Sequence, residues 1–159
     1  MLYSLPQLHE LRQQSKGETL VAACGCFDIF HIGHLEYLQG AKRLGDRLIV
    51  GINSDQSVYK NKGKPPHFCQ KDRIALVSAI DVVDDVVCFD SRSFAPALYA
   101  LCPQVFARGV DAGKKGFPER MAVQQLGIRV ETIGRQKRAS SSQLRRYFYV
   151  NPFKREKLP

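Results

Sequence analysis

The apolar run 20–24 stops at Gly25, and by Leu35 the chain has become a helical pattern that continues to Leu44. Between them stands Gly25-Cys26-Phe27-Asp28-Ile29-Phe30-His31-Ile32-Gly33-His34. This order of strand, tight loop and helix allows few folds. A strand apolar on both faces belongs inside a parallel sheet. A helix start exposes unpaired backbone N–H groups and a partial positive charge, which suit phosphate. His31 and His34 lie at that start and add side-chain donors. Gly33 between them lets a ligand approach the backbone closely. Helix capping or core packing also accounts for a single histidine, but a pair at a strand-to-helix turn favours phosphate binding.

The alternation continues along the chain. Apolar positions 5, 8 and 11 predict a short amphipathic helix over 5–14, before the strand at 20–26. The helix 33–44 ends at Gly45, a good C-terminal stop, and the strand 47–53 follows. Residues 55–67, with Lys60, Lys62, Gly63, Lys64, Pro65 and Pro66, read as a mobile surface loop. Then come a helix over 71–80, a strand at 86–89 and a helix at 94–101, with Pro96 as a kink. A strand at 104–107, a helix at 118–126 and a strand at 128–133 complete the alternation. Ser140, Ser141 and Ser142 supply N-cap residues for a last helix over 140–150. The expectation is a three-layer doubly wound, Rossmann-like α/β domain with a five-stranded parallel sheet. It occupies 1–150, with 151–159 as a basic C-terminal tail. Such sheets bind ligands beyond the carboxyl ends of the strands, where strand order reverses.

Composition narrows the chemistry. The 159 residues carry a formal charge of +9, which asks for an anionic partner. Part of the excess is the terminal Lys154-Arg155-Glu156-Lys157, a solvated tail. No aromatic-basic interleaving of the kind that stacks single strands is present, so nucleotide polyphosphate is favoured over nucleic acid. No apolar run approaches the roughly 20 residues that span a bilayer. The first ten residues lack a basic region followed by an apolar one, so no signal peptide is read there and the expected compartment is the cytoplasm. Five cysteines, with no second Cys/His pair at zinc spacing, predict reduced thiols and no structural zinc.

The motif Gly-x-Phe-Asp-x-x-His-x-Gly-His after a first strand resembles the nucleotidyltransferase superfamily with the HxGH signature. That group includes cytidylyltransferases, such as those acting on glycerol 3-phosphate, and the adenylyltransferase acting on heptose 1-phosphate. The likeness runs through several ordered motifs over roughly residues 20–148. Residues 41–50 followed by Asn53-Ser54-Asp55 look like the family's first helix and second strand. The 60–64 segment resembles its lysine-bearing loop. Arg73 sits where the family has an arginine, and Arg108-Gly109-Val110-Asp111 is similar to its fourth-strand turn. Arg135-Gln136-Lys137-Arg138-Ala139-Ser140-Ser141-Ser142 stands where cytidylyltransferases carry an arginine before Gly-Ile-Ser-Thr. Class I aminoacyl-tRNA synthetases share the histidine string, but no Lys-Met-Ser-Lys-Ser-like loop occurs here.

The resemblance implies attack of a substrate phosphate oxygen on the α-phosphorus of a nucleoside triphosphate, with pyrophosphate leaving. It assigns His31, His34, Lys62 and Arg135 to catalysis. It gives Gly25, Cys26, Phe27, Asp28, Gly33, Gly109, Asp111, Ser140 and Ser141 to nucleotide binding, and Lys64 and Arg73 to the phosphorylated acceptor. Asp28 is read as a turn former, a residue that orients the site, or a ligand of the Mg2+ that the resemblance implies. A homodimer is typical of the family. The acceptor is a small phosphorylated molecule such as glycerol 3-phosphate or a sugar phosphate. The body from Gly25 to Gly109 looks more like the heptose 1-phosphate enzyme, and the Arg135 loop more like the cytidylyltransferases. CMP transfer is preferred over AMP on the Arg135 motif, with heptose 1-phosphate adenylylation as the alternative. A module of another class, one that binds nucleotide or RNA without chemistry, is opposed by the intact histidine pair.

Overall fold

The computed structural model describes residues 1–110 and 117–134. Its strands are β1 (Leu2–Tyr3), β2 (Leu20–Gly25), β3 (Arg47–Asn53), β4 (Asp85–Phe89), β5 (Val105–Gly109) and β6 (Arg129–Ile133). Its helices are α1 (Gln7–Gln14), α2 (Ile32–Lys42), α3 (Asp55–Lys62), α4 (Gln70–Ser78), α5 (Ala95–Leu101) and α6 (Arg120–Gln125). The strands form one parallel sheet in the order β1-β4-β3-β2-β5-β6.

Strand periodicity explains the layers. Leu20 and Ala22 point to one face, where they pack with Ile49, Val87 and Phe106 against α1 and α5 residues such as Leu8, Leu11 and Leu98. Val21 and Ala23 point to the other, with Leu48, Val50 and Val105 against Tyr37, Leu38 and Ala41 of α2 and Val77 of α4. The middle strands are therefore apolar on both sides, as buried parallel strands must be. Packing on the first face is close at Gly51, where an added Cβ would lie 2.3 Å from Phe94 Cε2.

Among the described residues the sheet has six strands, not five. β1 is two residues long and pairs with β4 far along the chain, so no local pattern announces it. The segment expected as a loop from 55 is helical through Lys62. Ser54 Oγ accepts the Ser57 N–H at 3.0 Å, and Gly63 closes the helix at φ 68°. Cap and stop were both written in the sequence, but a lysine-rich segment before Pro65-Pro66 reads as loop. Pro96 sits in the first turn of α5, where its missing N–H costs no helical bond, so it starts the helix instead of kinking it. The expected helix at 140–150 and the tail lie outside the described residues.

The order reverses at β2. The chain steps outward through β3 and β4 on one side, then returns to lay β5 and β6 on the other. β2 and β5 pair only as far as Ala23 and Ala107, whereas β2 and β3 stay paired to Gly25 and Ile52. The strands thus part at the carboxyl end, between the histidine loop and the end of β5.

Candidate active site

α2 begins at this parting. His31 is its N-cap, with extended backbone, and its Nδ1 accepts the Gly33 N–H at 3.1 Å. With Nδ1 accepting, the ring proton of His31 sits on Nε2, which makes that nitrogen a donor. His34, one turn on, stacks its ring on His31 with centroids 3.9 Å apart and planes at 18°. Capping, one of the two readings of the sequence, is what His31 Nδ1 does, and it leaves the imidazole pair at the positive end of the helix, where the other reading puts phosphate.

The pair is backed by rings. The Phe27 ring stands edge-on to His34 at 5.2 Å and stacks on Tyr37 at 6.5 Å. Phe30 lies 5.5 Å from His34. Phe27 is buried and adopts φ 50°, a left-handed conformation that costs a non-glycine residue about 1–2 kcal/mol. That turn folds the ring under the motif, and Gly25 gives it room, since an added Cβ there would meet Phe27 Cε2 at 3.0 Å.

Tyr37 fills the gap between the parting strands. Its hydroxyl accepts the Cys24 N–H at 3.3 Å and donates to the Ala107 carbonyl at 2.8 Å. Burial pushes the Tyr37 hydroxyl far above its ordinary pKa, with the neighbouring Cys24 adding to the effect. Burial likewise pushes the Cys24 thiol up, helped by Glu119 and partly opposed by Arg108. Cys24 is therefore a packed thiol and not a nucleophile. Beyond it, a cavity of about 130 Å3 is lined by Cys24, Tyr37, Arg108, Gly109, Phe117 and Glu119, among others. The Arg108 guanidinium lies 3.8 Å from the Phe117 ring centroid, a cation–π distance. The buried Glu119 carboxylate accepts the Phe94 N–H at 2.8 Å.

Asp28 and Arg73 are buried at 3% and 1% exposure. Asp28 Oδ1 accepts the backbone N–H groups of His67 at 2.6 Å and Phe68 at 3.1 Å. Its Oδ2 lies 3.4 Å from His67 Nδ1. Arg73 donates to the carbonyls of Cys26 at 2.6 Å and Phe68 at 3.0 Å, and to Asp55 Oδ1 at 2.8 Å. An Mg2+ at Asp28 would have to share the Oδ1 that two amides hold or compete with His67 at Oδ2. Among the described residues no group of three His, Cys, Asp or Glu side chains can hold a metal. Arg73 is neither a surface ion pair nor an open phosphate contact, since three acceptors inside the protein take its guanidinium.

Lys62 ends α3, and Lys64 follows the Gly63 cap; both are exposed, with no hydrogen bond or ion pair among the described residues. Gly109 ends β5, where an added Cβ would meet no atom within 4 Å. Asp111, Arg135, Ser140 and Ser141 lie outside the described residues. Sequence reasoning missed Tyr37, Phe30, His67 and Glu119. Tyr37 had a signal, three residues after His34 on the same helix face. His67 had none, because its partner Asp28 lies 39 residues away.

The cytidylyltransferase-like family profile matches residues 22–147. The chain belongs to that family. By that membership it is a nucleotidyltransferase domain. It is 40% identical over 123 residues to the bifunctional protein HldE of Citrifermentans bemidjiense, covering 77% of this chain and 25% of that protein. It is 44% identical over 116 residues to the bifunctional protein HldE of Campylobacter fetus subsp. fetus, covering 72% and 25%. The chain thus spans about a quarter of the length of these curated relatives. A lipopolysaccharide core biosynthesis protein from Thermoplasma volcanium superposes with a TM-score of 0.65 at 29% identity, over 76% of this chain and 100% of that one. The pantoate-beta-alanine ligase of Francisella tularensis shares the fold alone, with a TM-score of 0.60 at 14% identity over 99% of this chain and 80% of that one.

Proposed function

We propose that this domain transfers AMP from ATP to the phosphate of a small phosphorylated sugar, such as heptose 1-phosphate, and releases pyrophosphate. The observation that carries the reading is the stacked His31/His34 pair at the start of α2, on the edge where β2 and β5 part. An acceptor phosphate oxygen forms a bond to the α-phosphorus, and the bond from that phosphorus to the bridging oxygen breaks. The nucleophile is already an anion, so no base is required. What the protein supplies is position and neutralisation of charge on the phosphates. The helix N–H groups and the two imidazoles meet the phosphates from one side, and Lys62 and Lys64 from another. Mg2+ enters with the triphosphate, as part of the substrate.

The relatives support adenylyl over cytidylyl transfer. The Gly25–Gly109 body resembles the heptose 1-phosphate enzyme, and the HldE proteins are similar to this chain at 40% and 44% identity. The solved lipopolysaccharide core biosynthesis protein supports a sugar acceptor. The preference for CMP rested on the Arg135 motif and gives way to these. Among the described residues no helix is long and apolar enough to cross a membrane. Pyrophosphate release, measured with ATP or CTP against sugar 1-phosphates and glycerol 3-phosphate, tests the reading. Turnover is expected with ATP and a sugar phosphate. Turnover confined to CTP with glycerol 3-phosphate, or none with any pair, would overturn it.

A further inference from the structure

The buried residues Asp28 and Arg73 hold other parts of the chain, and their contacts share a pattern. The Asp28 bonds and the bond from Arg73 to the Cys26 carbonyl join the histidine loop to the chain that follows α3. Asp28 takes the amides of His67 and Phe68, while Arg73 takes the carbonyls of Phe68 and Cys26. Residue 68 is thus held by its N–H and its C=O at once, from two side chains. Asp55 closes the base of the same excursion. Its carboxylate meets Arg73, and its N–H donates to Gln70 Oε1 at 3.0 Å. The excursion from Asp55 to Arg73 is therefore tied at its neck and pinned near its far end.

Lys62 and Lys64 lie between those ties. One end of their segment is α3, stopped by Gly63 at φ 68°; the other is the docked pair His67 and Phe68. Pro65 and Pro66 stiffen the link between Lys64 and His67. Three residues span at most about 11 Å, so Lys64 stays within that reach of the docking point. Asp28 is itself three residues before His31 and is bound by the same limit. Without the dock, among the described residues, nothing between Gly63 and the start of α4 fixes the lysine segment to the histidine loop.

We propose that Asp28 and Arg73 form a clasp that docks the lysine-bearing segment onto the histidine loop. They are positioning residues, which act on the phosphates through Lys62 and Lys64. The catalytic half of this inference rests on the transfer reaction proposed above; the docking half does not. A carboxylate that receives two amides fits this task, because each bond is charge-assisted and neither needs a particular neighbouring side chain. Arg73 fits for the same reason, since its planar fork reaches three acceptors that a lysine ammonium cannot span.

Two measurements test it. Amide hydrogen exchange of His67 and Phe68, in the intact protein without ligand, should speed by on the order of tenfold or more in Asp28→Ala. Asp28→Asn, which keeps an acceptor oxygen, should recover most of that protection, and its folding is checked by an unchanged thermal transition. In steady-state kinetics Asp28→Ala should lower kcat/KM for the triphosphate, and Lys62→Ala added to it should cost almost nothing more. Unchanged exchange in Asp28→Ala overturns the clasp whatever the reaction. Effects of Asp28→Ala and Lys62→Ala that multiply independently overturn the coupling to the lysines. Loss of all turnover in the unaltered protein, with exchange behaving as described, refutes the reaction and leaves the dock standing.

Discussion

The two sides of the proposed phosphate site are built in opposite ways. His31 and His34 are fixed by several contacts: the Gly33 amide holds His31, Phe27 and Phe30 pack against His34, and the two rings stack on each other. Lys62 and Lys64 are exposed, and only the chain around them is tied down. The first arrangement places donors before any ligand arrives, which suits charge that develops in a transition state. The second keeps side-chain entropy until a polyphosphate arrives and acts over longer range through its charge. Replacing a residue on one side should therefore look different from replacing one on the other.

The largest expected effect is on the pre-placed side. His34→Ala should reduce kcat by about 10² or more with the fold retained, by circular dichroism and melting temperature. A kcat within twofold of the unaltered protein would mean that the pair only caps a helix. On the lysine side, the Lys62→Ala, Lys64→Ala double variant should raise KM for the triphosphate by about tenfold and change kcat less. Its KM should also lose much of the salt dependence that the unaltered protein shows, because exposed charges are screened within about 10 Å at 0.1 M salt. Equal salt dependence in both proteins would remove the lysines from the site.

Smaller effects sharpen the support beneath the histidines. Tyr37→Phe leaves the Cys24 N–H and the Ala107 carbonyl without their shared hydroxyl, and should cost about 1–3 kcal/mol in chemical denaturation. A neutral result would show that water enters the parting of the strands. Least in magnitude is a labelling contrast. Cys69 and Cys102 are exposed, whereas burial raises the Cys24 thiol and disfavours its reactive thiolate. At pH 8 iodoacetamide should modify Cys69 and Cys102 first and leave Cys24 intact in the native protein, as read by peptide mass spectrometry.

How much of this was legible depends on the range over which each residue acts. β2, β3 and the histidine loop are written in contiguous residues, so their pattern sufficed. α3 carried its own signals in Ser54 and Gly63, and the lysine-rich composition outweighed them. β1 was not legible, because two residues gain strand character only from β4. The tasks of Asp28 and Arg73 were hidden for a different reason. Their partners are backbone groups of residues 26, 67 and 68, and a backbone group leaves no mark in the residue pattern. Family likeness pointed to both positions, offering a ligand for each and, for Asp28, a turn-forming or orienting role as well; the fold shows the stretch of chain that each one holds. Asp111, Arg135, Ser140 and Ser141 lie beyond the described residues.

The hydroxyl of Tyr37 has one further consequence. Where β2 and β5 part, an ordinary sheet would continue its ladder, and a ligand would have to unzip it. Here a phenol from a neighbouring helix has already answered the last amide and the last carbonyl. The parting is wedged open by a covalently anchored doorstop, so the nucleotide entry proposed above would displace no strand pairing and need not wait for the sheet to breathe.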